Sequence, residues 1–224
     1  MDGKGRTALW VACSEGHAEA VAALLDAGAQ PGATDPDGKS CLWAAAARGD
    51  ADCCALMLDA GAPAESADFA GRTPLYAAAQ RGNLRALKVL LDARCKAKTV
   101  DSVRRATPLH AAAAGGHAHC ALLLTQSGAD TAARDAAGHT PLIAAAYKGE
   151  TLTCLALLKA GASGADRDAA GNTAVAAALQ SGHQETAKAI ERASAAPSGS
   201  ASASKAGSDK STGSGSGRRK KRAA

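Results

Sequence analysis

Aromatic residues are nearly absent: two Trp, two Tyr and one Phe make up 2% of 224 residues. A sheet-built core draws on Val, Ile, Tyr and Phe, so this scarcity argues against β architecture. Alanine carries much of the 46% apolar content, and a core of Ala and Leu favours short, closely packed helices. No apolar run approaches the roughly 18 residues that span a bilayer. The opening stretch "MDGKGRTALW" has no long apolar segment behind a basic start, so a secretory signal is not expected. None of the seven cysteines, Cys13, Cys41, Cys53, Cys54, Cys95, Cys120 and Cys154, forms a CxxC pair. An odd set of this kind reads as reduced thiols in a cytoplasmic or nuclear protein. GxSxG, HExxH, phosphate-loop and kinase signatures are all missing. An enzyme, a metal site and a cofactor are therefore not expected.

What is present is a period. Thr7, Ser40, Thr73, Thr107, Thr140 and Thr173 follow one another at steps of 33, 33, 34, 33 and 33. Gly16, Gly49, Gly82, Gly116, Gly149 and Gly182 repeat the same steps. Each unit reads as turn, short helix, tight turn, second helix and loop. Thr-Pro-Leu opens the first helix at Thr73, Thr107 and Thr140; threonine can cap the free N–H groups, and proline is preset for the first helical position. The recurring glycine supplies the left-handed turn that ends that helix. Paired leucines close the second helix at Leu24-Leu25, Leu90-Leu91 and Leu157-Leu158. A Gly-Ala follows at Gly28, Gly61, Gly128 and Gly161.

Period, TPLH-like box, turn glycine, leucine pair and Gly-Ala together resemble the ankyrin-repeat family. The full box stands only at Thr107–Ala111; its His position holds Trp10, Trp43, Tyr76, Ile143 and Ala176 elsewhere. The resemblance implies an all-α solenoid of helix-turn-helix units joined by β-turn finger loops. Six repeats are expected at about 2–34, 35–67, 68–101, 102–134, 135–167 and 168–192. Such units bury their apolar faces only by stacking. Trp10, Trp43 and Tyr76 should then form one stacked structural column rather than a ligand cage.

The last repeat places Lys188, Glu191 and Arg192 around Ile190, the polarity a terminal capping unit needs. The first shows no such polarity, so its outer face is expected to be partly exposed, or further sequence to precede it. One seam is irregular. Arg94-Cys95 replaces Gly-Ala, the following loop gains a residue, and Arg105 replaces the glycine before the TPL box. A left-handed Arg94 would cost about 1–2 kcal/mol, so a different loop shape is expected there.

His110, His117, His119 and Cys120 crowd together but do not read as a zinc site. His117 shares its column with His17, Asp50, Asn83, Glu150 and His183, a polar position that no unit needs for metal. Adjacent helical residues such as His119 and Cys120 diverge by about 100°, whereas tetrahedral ligands converge. Cysteines recurring in fixed columns read as small core residues.

Ankyrin-like stacks bind proteins through finger tips and the exposed positions of their first helices. By register those positions include Arg48, Phe69, Arg72, Arg81, Arg104, Arg105, His139, Tyr147 and Lys148. Basic residues there outnumber acidic ones, although residues 1–192 hold 19 Lys+Arg against 20 Asp+Glu. Positive charge is thus expected to be sorted toward one concave face that captures an acidic protein partner.

From residue 193 the chain becomes Ser/Gly/Ala-rich and reads as a disordered tail over 193–224. Seven Lys+Arg stand there against one acidic residue, with a basic run of Arg218, Arg219, Lys220, Lys221 and Arg222. Such runs act as nuclear import signals or nucleic-acid contacts, or are silent. The expected protein is a monomeric, non-enzymatic interaction scaffold or adaptor, cytoplasmic or nuclear. Two alternatives stand beside it: a nucleic-acid-associated regulator that uses the tail, and the recognition portion of a longer product.

Overall fold

In the computed structural model, residues 1–195 are described. They form twelve helices in six antiparallel pairs: α1 Ala8–Glu15 and α2 Ala18–Asp26; α3 Cys41–Arg48 and α4 Ala51–Asp59; α5 Pro74–Arg81 and α6 Leu84–Asp92; α7 Pro108–Ala114 and α8 Ala118–Gln126; α9 Pro141–Lys148 and α10 Thr151–Lys159; α11 Ala174–Gln180 and α12 Gln184–Ala195. The last helix thus runs to Ala195, three residues past the boundary expected from sequence. First helices pack on first helices and second on second, repeat after repeat. No strand forms among the described residues; one isolated bridge joins Thr34 and Ser40. No helix there is long and apolar enough to cross a membrane.

Every first helix opens in the same way. The hydroxyl of Thr7, Ser40, Thr73, Thr107, Thr140 or Thr173 accepts a bond from the backbone N–H three residues on. Each such cap stabilises by about 1 kcal/mol. The period found in the sequence is therefore a period of helix starts. Between the caps, alanines such as Ala45, Ala46, Ala78, Ala79, Ala112, Ala113, Ala145 and Ala146 are wholly inaccessible. Their small side chains let neighbouring first helices approach closely, and Leu42, Leu75, Leu109 and Leu142 fill the space beside them.

The turn between paired helices is left-handed at each of Gly16, Gly49, Gly82, Gly116, Gly149 and Gly182. Glycine has a second reason to be there. A Cβ on Gly49 would lie 2.7 Å from Asn83 Cγ, and one on Gly149 would lie 2.6 Å from His183 Nδ1. The polar residue that starts each second helix is seated on the turn of the repeat before it. Asn83 Nδ2 donates to the carbonyls of Ala46 and Ala47, both at 2.9 Å. His117 Nε2 lies 3.1 Å from the Gln80 carbonyl. Asn83 and His117 thus satisfy carbonyls left free where a first helix ends, whereas Asp50 caps its own second helix by accepting from the Cys53 N–H.

The aromatic column departs from the expected stacking. The sole aromatic ring pair among the described residues is His139–Tyr147. Trp10 and Trp43 are instead covered by cations: Arg6 lies 5.0 Å from the Trp10 ring centre, Lys39 5.3 Å and Arg72 6.0 Å from that of Trp43. Trp43 thus carries the finger cations of its own repeat and of the next, in cation–π contacts. Tyr76 does not join them; its hydroxyl donates to Asp101 at 3.0 Å.

The irregular seam also differs from the expectation. Arg94 keeps the left-handed conformation with φ 62°, and Arg105 adopts it at φ 54°. They are the only non-glycine residues of positive φ among those described. The backbone bond from Cys95 N to Leu90 O matches that from Ala62 N to Met57 O in the regular repeat before it. The following segment is anchored in the same way, with Cys95 and Ala97 buried. The extra residue is absorbed in the finger of the fourth repeat.

Candidate interaction surface

The finger turns are built on aspartate. Asp2, Asp35, Asp68, Asp135 and Asp168 each accept bonds from the backbone N–H groups two and four residues on. In the fourth repeat the equivalent Asp101 reaches three and five residues on, to Arg104 and Ala106. Successive fingers are tied by backbone bonds: Phe69 N to Asp37 O, Ser102 N to Ala70 O, Ala136 N to Arg104 O, and Ala169 N to Ala137 O. These aspartates recur at the repeat step and could have been found in the sequence by the same alignment that aligned the threonines.

They change the charge of the inner face. Arg6 pairs with Asp2 at 2.6 Å, Lys39 with Asp37 at 2.7 Å and Arg72 with Asp68 at 2.7 Å. His139 lies 3.3 Å from Asp135 and 3.7 Å from Asp168. The finger cations Arg6, Lys39 and Arg72 are thus matched within their own fingers, which narrows the positive charge expected over the whole face. Among the described residues, Arg48, Arg81, Arg104, Arg105 and Lys148 have no acidic partner within 4.0 Å.

Three repeats build one groove. Its volume is about 380 Å³, and its lining includes Tyr76 and Gln80 of α5, Arg104 of the fourth finger, His110 and Ala111 of α7, His139 of the fifth finger, and Tyr147 and Lys148 of α9. A hollow of about 290 Å³ adjoins it through Tyr76, Gln80 and Arg104 and adds Arg72 and Val103. The walls are rigid for stated reasons. Tyr76 is held by Asp101, and burial with that carboxylate pushes its phenol well above the usual range. Tyr147 donates to Asp168 at 3.2 Å and packs on His139 with ring centres 5.0 Å apart.

His110 forms the floor. Its Nδ1 accepts from the Thr107 backbone N–H at 3.2 Å, which leaves the proton on Nε2 to donate to the His139 carbonyl at 2.9 Å. Burial lowers its pKa, so it is neutral at pH 7 and ties the fourth finger base to the fifth.

Of the residues singled out in the sequence, Arg104, His139, Tyr147 and Lys148 meet in the groove, and Arg72 lines the adjoining hollow. Arg48 and Arg81 end α3 and α5, are exposed and line neither hollow; the Arg48 guanidine lies against the Gly16 turn of the first repeat. Phe69 and Arg105 sit on the finger tips, Phe69 with 80% of its surface exposed. Tyr76 and His110 were assigned purely structural roles and also line the groove. Val103, 71% exposed on the longer fourth finger, gave no signal beyond the inserted residue.

The crowded histidines are not brought together. His110 is buried and bonded at both nitrogens, His117 faces the preceding repeat, His119 is exposed and Cys120 is buried. No group of three metal-ligating side chains gathers among the described residues. Every cysteine is a buried free thiol. Desolvation pushes Cys53, Cys54 and Cys154 up to about 12 and Cys120 up to about 11, the opposite of an activated nucleophile. The basic run Arg218–Arg222, and the disorder expected for most of 193–224, lie outside the described residues.

A family model described as ankyrin repeats in three copies matches residues 1–68, 42–135, 78–166 and 109–195. A comparison with curated proteins found no match. Ankyrin repeats generally mediate protein–protein interaction and are typically non-enzymatic. With six capped helix pairs stacked at the family's period and its model matched from residue 1 to 195, the chain belongs to the ankyrin-repeat family.

Proposed function

We propose that this protein is a non-enzymatic scaffold or adaptor that holds an acidic, extended segment of a protein partner in the groove of repeats three to five. The observation that carries this reading is the convergence of Arg104 and Lys148, neither of which has an acidic partner within 4.0 Å among the described residues, on a groove walled by Tyr76 and Tyr147. Asp135 is the one acidic side chain in that lining, and it is engaged with His139. Aromatic walls supply contact area at little conformational cost, and the two cations select for carboxylates. The walls are braced by Asp101, Asp135 and Asp168, so the surface is preorganised and loses little entropy on association.

Affinity capture with the full chain and with an Arg104→Glu/Lys148→Glu variant tests this. The partners recovered at moderate salt should fall at least tenfold with the variant, while its thermal midpoint stays unchanged. Recovery of the same partners in the same amounts would refute the assignment of the groove.

The run Arg218–Arg222 favours a nuclear location as a second element of the reading, with the tail as an import signal. Imaging a fluorescent fusion lacking 218–222 tests it; an unchanged distribution rejects it.

A further inference from the structure

The irregular seam builds a second groove, on a different side of the solenoid from the one above. Its volume is about 690 Å³, and it is lined by Leu91, Arg94, Cys95, Lys96, Ala97, Lys98, Thr99, Ser127 and Gly128. These residues belong to the end of α6, the loop that follows it and the end of α8. None of them lines the concave groove.

Two features set this loop apart from its equivalents. At Gly28, Gly61, Gly128 and Gly161 the backbone is left-handed, and an added Cβ would meet nothing within 4 Å. That space is open in each of these four repeats. Only here is it filled, by Arg94, which keeps the left-handed backbone despite its Cβ. A strained residue persists when its surroundings hold it, and the inference runs from the observed strain toward a role. The second feature is charge. Arg94, Lys96 and Lys98 are exposed and stand on one rim, and none has an acidic partner within 4.0 Å among the described residues. Two acids stand near the rim: Glu65, whose carboxylate accepts from the Lys96 backbone N–H at 2.7 Å, and Asp92, exposed at the end of α6 two residues before Arg94.

Between the charges the floor is apolar, formed by Leu91, Cys95 and Ala97, with Cys95 and Ala97 buried. A basic rim over an apolar floor is complementary to a short segment of protein that carries leucine-like side chains between carboxylates. We infer that the groove formed by Leu91–Thr99 and Ser127–Gly128 is a second docking site, for an acidic amphipathic peptide. The solenoid then has two separate faces for protein segments, as a scaffold that joins two partners needs. This inference does not rest on the concave groove and can fail or hold without it.

The test is a titration of the isotope-labelled full chain, followed by amide ¹H–¹⁵N spectra, with the peptide acetyl-Glu-Glu-Leu-Leu-Glu-Glu-amide. Shifts are expected at residues 91–99 and 127–128, at least threefold weaker binding when alanine replaces both leucines, and at least tenfold weaker binding with Arg94→Gly/Lys96→Gln/Lys98→Gln. That variant removes charge and relieves the strained backbone, and its unshifted remote amides report that it is folded. Arg104→Glu/Lys148→Glu should leave this binding unchanged. The inference is overturned by no shifts at millimolar peptide, by shifts confined to the Tyr76–Lys148 groove, or by equal binding of the alanine peptide. It is also overturned if a single-stranded oligothymidylate of equal charge shifts these amides and the peptide does not.

Discussion

Replacing Arg94 by glycine should make the protein more stable, although it removes a side chain and adds none. Arg94 holds φ 62° at a position where four other repeats carry glycine. The left-handed conformation costs a residue with a Cβ about 1–2 kcal/mol. Glycine removes that cost but gives the unfolded chain more freedom, worth about 0.5–1 kcal/mol in the other direction. The net gain is about 0.5–1 kcal/mol. In a domain of this size that raises the thermal midpoint by about 1–4 °C. Arg105, at φ 54° where other fingers carry glycine, should respond alike, and the two changes together should add to about 1–2 kcal/mol. Urea unfolding followed by circular dichroism measures the difference directly. The control is Arg94→Ala, which deletes the long side chain and keeps the Cβ. It should lie within about 0.5 kcal/mol of the parent. If alanine stabilises as much as glycine, the gain comes from losing clustered positive charge, and the backbone account is refuted.

The glycines of the second repeat should separate two costs. Gly49→Ala meets both a left-handed backbone at φ 93° and the Asn83 side chain, with its two bonds to Ala46 and Ala47, and should lose about 2–4 kcal/mol. Gly61→Ala, at φ 79° with open space around it, should lose only about 1–2 kcal/mol; equal losses in urea would show that the inter-repeat seat contributes nothing. Stability should also fall in alkali, because the buried thiols of Cys53, Cys54 and Cys154 ionise near 12 in the folded chain and near 9 when unfolded. A raised folded pKa gives stability that is complete below about pH 9 and is lost as the pH rises toward 12. Serine at Cys54 would change packing as well, so the clean measurement is the pH dependence of alkylation, which should stay slow at pH 8 until denaturant is added. Acid acts through His110 with the opposite slope: its lowered pKa gives stability that is present above about pH 6.5 and lost below it, and His110→Leu should flatten the acid limb of the curve.

The repeat architecture was legible because its signals are local. A threonine before each first helix caps it, a glycine after it takes the left-handed turn, and both act within a few residues of where they stand. The reading of His117 as a structural turn residue followed from the same register, and the structure gives it a partner in the Gln80 carbonyl. The finger aspartates follow the same rule and were available to it. Their effect on charge was not, since whether Arg72 faces Asp68 or a partner depends on how a turn folds back.

The sequence alone therefore determined the number of units, their order and the starts of their first helices, because short-range hydrogen bonding decides these. Tertiary structure alone decided which cations remain unmatched and which residues share a groove. Tyr76, Arg104, His110, His139 and Lys148 come from three repeats and meet only when those repeats stack. It also decided the fate of Arg94. Its backbone is left-handed, and its exposed side chain lines a groove with Ser127 and Gly128 of the next repeat, which no local signal announces.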